Sequence, residues 1–253
     1  MNKTAVNKLT NMKTYNILGY NVFAGNVEDW DLNKKTLINT FSPNSYGLAL
    51  KDMFFKKALL NTDILVLDGI GIALGSMLIH GKNIGKIAGQ DCFDHLMDQA
   101  NSKGWKVFFL GSSVSTLQKI VARLKVEYPN ASVATYSPPF KQVFSDTDNK
   151  HMVDAINEYT PDVLFVGMTA PKQEKWAYQQ HQMVNARIVC TIGNVFDWYA
   201  GVSKRPAQLW VKLRLEWLVR IFLRPEIFRR NTKNQLMFVR DLFAYKFRLK
   251  KNY

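Results

Sequence analysis

Asp68 is the residue whose type and position most clearly suggest chemistry. It follows a run of apolar residues typical of a buried β-strand, and Gly69, Gly71 and an apolar helical run come after it, in the segment DILVLDGIGIALG at 63–75. In open parallel sheets, ligands bind beyond the carboxyl ends of the strands, where the next helix offers backbone N–H groups to anions. An Asp that only caps the next helix gives the same pattern. The segment alone therefore leaves two interpretations open, a binding site and a helix cap.

The same order of strand, turn and helix returns in four later segments, at 105–113, 132–140, 162–176 and 187–198. The first of these ends in Gly111 and two serines, the third enters a helix at Pro171, and the last ends in Gly193 and a polar turn. Near-continuous apolar strands that alternate with helices indicate a parallel sheet covered on both faces. We therefore predict an α/β fold with a Rossmann-like, mostly parallel sheet and helices on both faces.

The remaining segments complete the predicted organisation. Residues 1–14 are expected to form a loose leader, 15–23 a strand or hairpin around Gly19, 28–40 a helix, and the segment FSPNSYG at 41–47 a loop that could face a ligand. The α/β domain is predicted to cover residues 1–201. A basic, helical C-terminal appendage is predicted over 202–253.

The appendage carries most of the positive charge of the chain. Residues from 196 to the end contribute +10 of the formal net charge of +14. The apolar residues Trp210, Leu213, Trp217 and Ile221 follow helical spacing, with arginines beside them. A solvated amphipathic helix would have the same pattern. The concentration of charge nevertheless predicts an anionic partner, which could be a phosphate ligand, an anionic membrane surface or nucleic acid.

Composition and missing motifs exclude several classes. The chain of 253 residues is 47% hydrophobic, which is sufficient for a packed core. Cys92 and Cys190 lack metal-ligand spacing and are expected to be core residues of a reduced, cytoplasmic protein. We find neither a G-x-G-x-x-G nor a Walker motif, nor a signal-peptide or membrane-spanning pattern. The two D-x-D motifs, at 29–31 and 146–148, lie in polar stretches predicted to enter helices. We predict no metal and no cofactor.

Taken together, the motifs resemble those of the WecG/TagA/CpsF family of glycosyltransferases, which is glycosyltransferase family 26. The resemblance covers roughly residues 15–230 and rests on SPN at 42–44, LDGIGI at 67–72, GQD at 89–91, FFLG at 108–111, APKQEKW at 170–176, FDWYAG at 196–201 and LEWLVR at 215–220. It implies an inverting transferase that moves a sugar from a UDP-sugar to a polyprenyl-diphosphate-linked sugar. It also implies a location at the cytoplasmic face of a bacterial plasma membrane.

The resemblance implies roles for individual residues. Asp68 takes the place of the general base, and Gln173 that of a residue near the reacting centre, with Glu174 orienting its loop. Asp197 matches a residue near the nucleoside. The other positions expected to bind substrate are Ser42, Asn44, Gly69, Gly71, Gly111, Arg205, Arg220, Arg224 and Arg230. Guanidinium groups suit diphosphates and would replace a metal in stabilising the departing UDP.

Some positions depart from the family pattern. Arg205-Pro206-Ala207 has the last two residues exchanged, and an arginine expected after Pro225 falls on Ile227, so that its role would pass to Arg224 or Arg229. These changes bear mainly on the donor sugar and the acceptor.

The sequence therefore predicts a UDP-sugar transferase for a bacterial cell-surface polysaccharide or teichoic acid. HexNAc donors such as UDP-ManNAc, hexoses and uronic acids are all compatible with it. The expected partners are the donor, the lipid-linked acceptor and an anionic membrane surface that meets the tail around Phe243, Tyr245 and Phe247. No nucleic acid is expected, and homo-oligomerisation stays open. The alternative is a basic α/β module that binds nucleic acid or a membrane surface without catalysis.

Overall fold

The computed structural model describes residues 12–203 and 225–247. An antiparallel hairpin, β1 (Thr14–Ile17) and β2 (Tyr20–Phe23), precedes the main sheet and confirms the hairpin predicted around Gly19. The strands of the main sheet are β3 (Thr36–Phe41), β4 (Ile64–Leu67), β5 (Lys106–Gly111), β6 (Ser132–Tyr136), β7 (Val163–Gly167) and β8 (Ile188–Thr191). All of its pairings are parallel, in the order β4-β3-β8-β7-β5-β6. The predicted Rossmann-like α/β fold is thus confirmed.

The helices connect these strands and cover both faces of the sheet. They are α1 (Pro43–Ala49), α2 (Met53–Leu60), α3 (Ile70–His80), α4 (Gly89–Lys103), α5 (Val114–Glu127), α6 (Asp146–Tyr159), α7 (Lys172–Gln180), α8 (Val195–Tyr199) and α9 (Pro225–Lys246). Alternate strand residues point to opposite faces, so one face packs on α4, α5 and α8 and the other on α1, α2, α6 and α7. Within the described residues, no helix is both long and apolar enough to cross a membrane.

The strand order creates a switch point between β5 and β7. After β5 the chain continues to β6 on one side, whereas after β7 it continues to β8 on the other side. Connections that leave adjacent strands in opposite directions open a crevice at the carboxyl ends of those strands, which is where α/β proteins bind ligands.

The helix predicted over 28–40 is wrong. Only a short 3₁₀ turn, Val27–Asp29, forms there, and Thr36–Phe41 forms the central strand β3. Pairing with β4 on one side and β8 on the other supplies β3 with its hydrogen bonds, and five of its six residues are buried. The β-branched Thr36, Ile38 and Thr40 suit a strand, and tertiary pairing decides the conformation. The loop predicted at 41–47 is also wrong, because Ser42 caps α1, which begins at Pro43.

The C-terminal helix α9 is packed into the fold along one face. Phe238 and Leu242 are buried in the cluster that includes Phe41 and Tyr46. The Tyr46 hydroxyl donates to the buried Asp241 carboxylate over 2.9 Å. Residues of the predicted appendage therefore contribute to the same core as the hairpin and α1.

The close crossing of α1 and α9 depends on Gly47. A Cβ at this position would lie about 2.5 Å from the Asn234 Cα, which is far inside van der Waals contact. Glycine inside a helix normally costs stability relative to alanine, so its presence here indicates a steric requirement.

We predict that Gly47→Ala destabilises the fold although alanine favours helix. Overpacking of this kind typically costs about 1–3 kcal/mol in the free energy of unfolding, which urea denaturation would measure. Gly85→Ala is the matched control, because a Cβ at Gly85 would meet no atom within 4 Å. Equal unfolding free energies for the two variants would contradict the steric account of the crossing.

Candidate active site

The structure brings most of the predicted site residues to one edge of the sheet. Asp68 follows β4, Ser42 follows β3, Gln173 lies in the first turn of the helix after β7, and Asp197 lies in the helix after β8. Gly111 is the last residue of β5. Because the strands are parallel, these positions share the carboxyl edge, where the sequence placed the site.

Asp68 lies where the turns after β3 and β4 meet. Its backbone N–H donates to the Phe41 carbonyl over 2.9 Å, and its side chain is partly exposed. Gly69 has φ +95°, a conformation that L side chains rarely adopt, and begins α3 as its N-cap. A Cβ on Gly71 would come within 2.6 Å of the Pro43 ring. The two glycines thus allow α3 to begin directly against α1, and Asp68 immediately precedes this junction in the chain.

Ser42 and Asn44 already have intramolecular partners. The Ser42 hydroxyl accepts from the Ser45 backbone N–H over 3.1 Å and caps α1. The Asn44 Oδ1 accepts from the Asn234 amide of α9 over 2.9 Å. Ser42 therefore fixes the start of α1, and Asn44 connects that start to the C-terminal helix.

Gln173 and Glu174 form a buried pair in the first turn of α7. The Gln173 Oε1 accepts from the Met168 backbone N–H over 3.2 Å, and its Nε2 donates to the Glu174 Oε1 over 2.8 Å. The Gln173 amide also packs on Gly193, in the turn after β8. Glu174 is 2% exposed, and no hydrogen-bond partner of its Oε2 is found among the described residues. Burial raises the pKa of this carboxyl to about 7.

Two lysines beside this pair escaped the sequence prediction. The Lys172 Nζ donates to the Lys141 carbonyl and lies 3.8 Å from the centre of the Phe144 ring. Lys141 and Phe144 both belong to the segment after β6. Lys175 pairs over 2.9 Å with Asp52, which caps α2. In a sequence, lysines near a helix start are usually read as solvent-exposed charges. The contacts of these two lysines with neighbouring loops are visible only in the tertiary structure.

Two paired glycines end the adjacent strands β5 and β7 at the switch point. Gly111 has φ +123° and pairs with Gly167, and a Cβ on Gly111 would overlap the Gly167 backbone. Gly167 in turn packs against the ring of Phe196 in α8. The sequence singled out Gly111 but not Gly167, although both residues end apolar strands.

Asp197 lies at the root of the segment that leads to α9. The backbone N–H groups of Val202 and Ser203 both donate to the Asp197 carbonyl, over 2.9 and 3.2 Å. Behind it, the Tyr199 hydroxyl donates to Glu127 over 2.7 Å, and Arg123 donates to the Tyr199 carbonyl over 3.0 Å. The short helix α8 is therefore fixed from the side of α5, with the Asp197 side chain partly exposed.

One of the four predicted arginines lies within the described residues. Arg205, Arg220 and Arg224 lie outside the described residues, whereas Arg230 falls in α9. The D-x-D motif at 146–148 opens α6 as predicted, with Asp148 in a capping box with Ser145. The motif at 29–31 starts no helix, because Asp29 ends the 3₁₀ turn. Among the described residues, we find no group of three or more His, Cys, Asp or Glu side chains able to hold a metal ion.

Comparisons with known proteins identify the family of the chain. The family model described as "Glycosyl transferase WecG/TagA/CpsF family" matches residues 10–252. The chain belongs to this family. It is therefore a glycosyltransferase, as the resemblance of its motifs implied.

Several relatives of the chain carry the name of the same enzyme. The chain is 30% identical to the N-acetylglucosaminyldiphosphoundecaprenol N-acetyl-beta-D-mannosaminyltransferase of Bacillus spizizenii, over 79% of this chain and 76% of the relative. Identity to the Bacillus subtilis enzyme of that name is 30% over 75% and 72% of the two chains. Identity to the Staphylococcus aureus (strain NCTC 8325) enzyme is 25% over 78% and 77%.

The burial of Glu174 predicts a measurable pH dependence of stability in this glycosyltransferase. Its pKa is raised from 4.5 to about 7 in the folded state, so the wild-type protein loses unfolding free energy as the pH rises from about 4.5 to above 7. Glu174→Gln lacks this titration. Its unfolding free energy relative to wild type should therefore be about 2 kcal/mol higher at pH 8 than at pH 5.5.

Urea denaturation at the two pH values would measure this gain. Glu158→Gln removes an exposed glutamate of α6 and accounts for the general effect of losing one negative charge. A stability difference between Glu174→Gln and wild type that stayed constant with pH would show that Glu174 does not titrate in this range.

Proposed function

We propose that this protein transfers a HexNAc such as ManNAc from a UDP-sugar to a polyprenyl-diphosphate-linked GlcNAc, with inversion at the anomeric carbon. The observation that carries the proposal is the convergence of Asp68, Gln173 and Asp197 on one edge of the sheet, beside the switch-point crevice. The activity named for the relatives supports the choice of sugars and lipid acceptor. A role in bacterial cell-surface polysaccharide or teichoic acid synthesis follows from that acceptor.

Asp68 is the proposed general base. In the reaction, the acceptor hydroxyl oxygen attacks the anomeric carbon, its proton passes to the Asp68 carboxylate, and the bond to the UDP oxygen breaks with the electron pair leaving on UDP. Asp68 suits this role because it is partly exposed at the carboxyl edge, directly before the start of α3. Gln173 and Glu174 stabilise the loop that borders the reacting groups.

The nucleotide is proposed to lie at the switch-point crevice between β5 and β7. Gly111 and Gly167 end the two strands at this point, and Asp197, in the helix after β8, is proposed to accept hydrogen bonds from ribose hydroxyls. Arg205, Arg220, Arg224 and Arg230 are proposed to balance the diphosphate charge in place of a metal. This assignment makes the reaction metal-independent.

The outer face of α9 is proposed to contact the cytoplasmic face of the plasma membrane. Leu236, Val239 and Phe243 are exposed on this helix, and Phe247 is exposed directly after it; the ring centres of Phe243 and Phe247 lie 6.3 Å apart in a stacked arrangement. The cationic residues Lys233, Arg240 and Lys246 are exposed beside them. An apolar stripe with basic flanks is typical of helices that lie in a membrane interface. A lipid-linked acceptor would reach the enzyme from such a surface, which disfavours a nucleic-acid partner.

The proposed function predicts turnover with a defined pair of substrates. The full chain should form a disaccharide on a short-chain lipid-diphosphate-GlcNAc acceptor when it is given UDP-ManNAc, and EDTA should leave the rate largely intact. A panel of UDP-hexoses and UDP-uronic acids tests the donor, and mass spectrometry of the product measures transfer. Absence of transfer from every UDP-sugar would contradict the function, and an absolute Mn²⁺ requirement would contradict the arginine-based mechanism.

The role of Asp68 predicts a selective loss of turnover. Asp68→Asn keeps the size of the side chain but removes the proton acceptor, so kcat should fall by about 10²–10⁴-fold. UDP binding, measured by calorimetry, should stay close to wild type. Asp63→Asn, at the opposite end of β4, changes an Asp away from the site and serves as the control for folding. Wild-type turnover by Asp68→Asn would remove Asp68 from the role of base.

A further inference from the structure

Hydrogen bonds connect three polar side chains where α1 and α9 cross, and one of the three is the predicted site residue Asn44. The Lys51 Nζ donates to the Asn234 Oδ1 over 2.7 Å, and the Asn234 Nδ2 donates to the Asn44 Oδ1 over 2.9 Å. Asn234 is 5% exposed, and Asn44 is partly exposed at the carboxyl edge. Asn44 lies in α1, Lys51 in the turn that follows α1, and Asn234 in α9.

The direction of this chain of hydrogen bonds is set by chemistry. A lysine ammonium can only donate, so the Asn234 atom that faces Lys51 must be the carbonyl oxygen. The Asn234 NH₂ group then faces Asn44 and can only donate to the Asn44 carbonyl oxygen. Asn44 is thereby left with its own NH₂ group for other partners. The charged Lys51 ammonium at the start of this series strengthens each hydrogen bond that follows.

We propose that Asn234 is a positioning residue that holds the Asn44 amide with its NH₂ group toward a phosphate oxygen of a bound substrate. A phosphate oxygen at neutral pH accepts hydrogen bonds, so it recognises an NH₂ group and rejects a carbonyl oxygen. This inference rests on the proposed function, because that function supplies two diphosphates, one in the UDP-sugar and one in the lipid-linked acceptor. Asn44 touches the ligand, whereas Asn234 acts through Asn44.

Packing where α1 and α9 cross is consistent with a role for the hydrogen bond between Asn234 and Asn44. Gly47 lies one turn after Asn44 and allows the Asn234 backbone to approach α1 closely. The approach brings the Asn234 amide within hydrogen-bond distance of both Lys51 and Asn44. A larger residue at position 47 would move Asn234 away from them.

The isosteric substitution Asn234→Asp tests the proposal. Its carboxylate would still accept from Lys51, but its second oxygen would require the Asn44 amide to turn and donate its NH₂ group inward. Asn44 would then present its carbonyl oxygen to the phosphate. We expect kcat/KM to fall about tenfold, the size of one lost hydrogen bond to a charged group. Asn234→Ala leaves the Asn44 amide free to adopt either orientation, and we expect a smaller fall, about twofold.

The order of the two variants separates positioning from a structural role. If Asn234 only stabilised the helix crossing, Asp would be the milder change because it keeps the volume and a pairing with Lys51, and Ala would be the more harmful one. Tyr46→Phe is the control, because it removes the Tyr46–Asp241 hydrogen bond from the same helix pair without contacting Asn44. It should lower the Tm but leave kcat/KM near the wild-type value.

Kinetics of the full chain should be measured with donor and acceptor varied separately. A raised KM for the UDP-sugar assigns the contact to the donor diphosphate, and a raised KM for the lipid substrate assigns it to the acceptor diphosphate. The inference is overturned if Asn234→Ala is as impaired as Asn234→Asp or more so, or if Asn44→Ala retains full activity. If the wild-type chain transfers no sugar, the proposed function fails and this inference fails with it, whereas turnover with the reversed order overturns the inference alone.

Discussion

The first turn of α7 holds together the loops at the carboxyl edge of the sheet. Lys172 contacts the segment after β6, Gln173 contacts the loop after β7 and packs on Gly193 after β8, and Lys175 pairs with the cap of α2. Loops usually carry binding residues because a rigid scaffold presents them. Here one helical turn provides contacts to several loops at once, and the geometry of the candidate site depends on it.

Burial of Glu174 is the cost of this arrangement. A carboxyl group enclosed in the core normally needs hydrogen bonds to both oxygens, whereas the Glu174 Oε1 receives one from Gln173 and the Oε2 receives none from the described residues. The buried bond fixes the Gln173 amide, so its carbonyl faces the Met168 N–H. Burying Glu174 therefore lowers the stability of the fold but gives the loop next to the proposed reacting groups a defined conformation. Such a loss of stability is common at functional sites.

The sequence allowed the general architecture to be predicted, and also the position of several candidate site residues at the carboxyl edge of the sheet. Apolar strands that end in Asp68 or Gly111 are local patterns, and parallel pairing brings their ends together. The strand β3 could not be predicted because its polar and β-branched residues acquire their hydrogen bonds only from β4 and β8. Asn234 was missed because it lies 190 residues from Asn44 and nothing local distinguishes it from a surface asparagine on an amphipathic helix.

Hydrogen–deuterium exchange of the full chain with and without UDP tests the central claim that one edge of the sheet forms the active site. The account predicts slower exchange at 110–114, 167–174 and 193–198, the segments that surround the switch-point crevice and Asp197. Exchange in the hairpin at 14–23 should change little. UDP-dependent protection confined to other regions, such as the separate cavity of about 250 Å³ lined by Trp30, Leu32 and His95, or no protection at saturating UDP, would contradict the account.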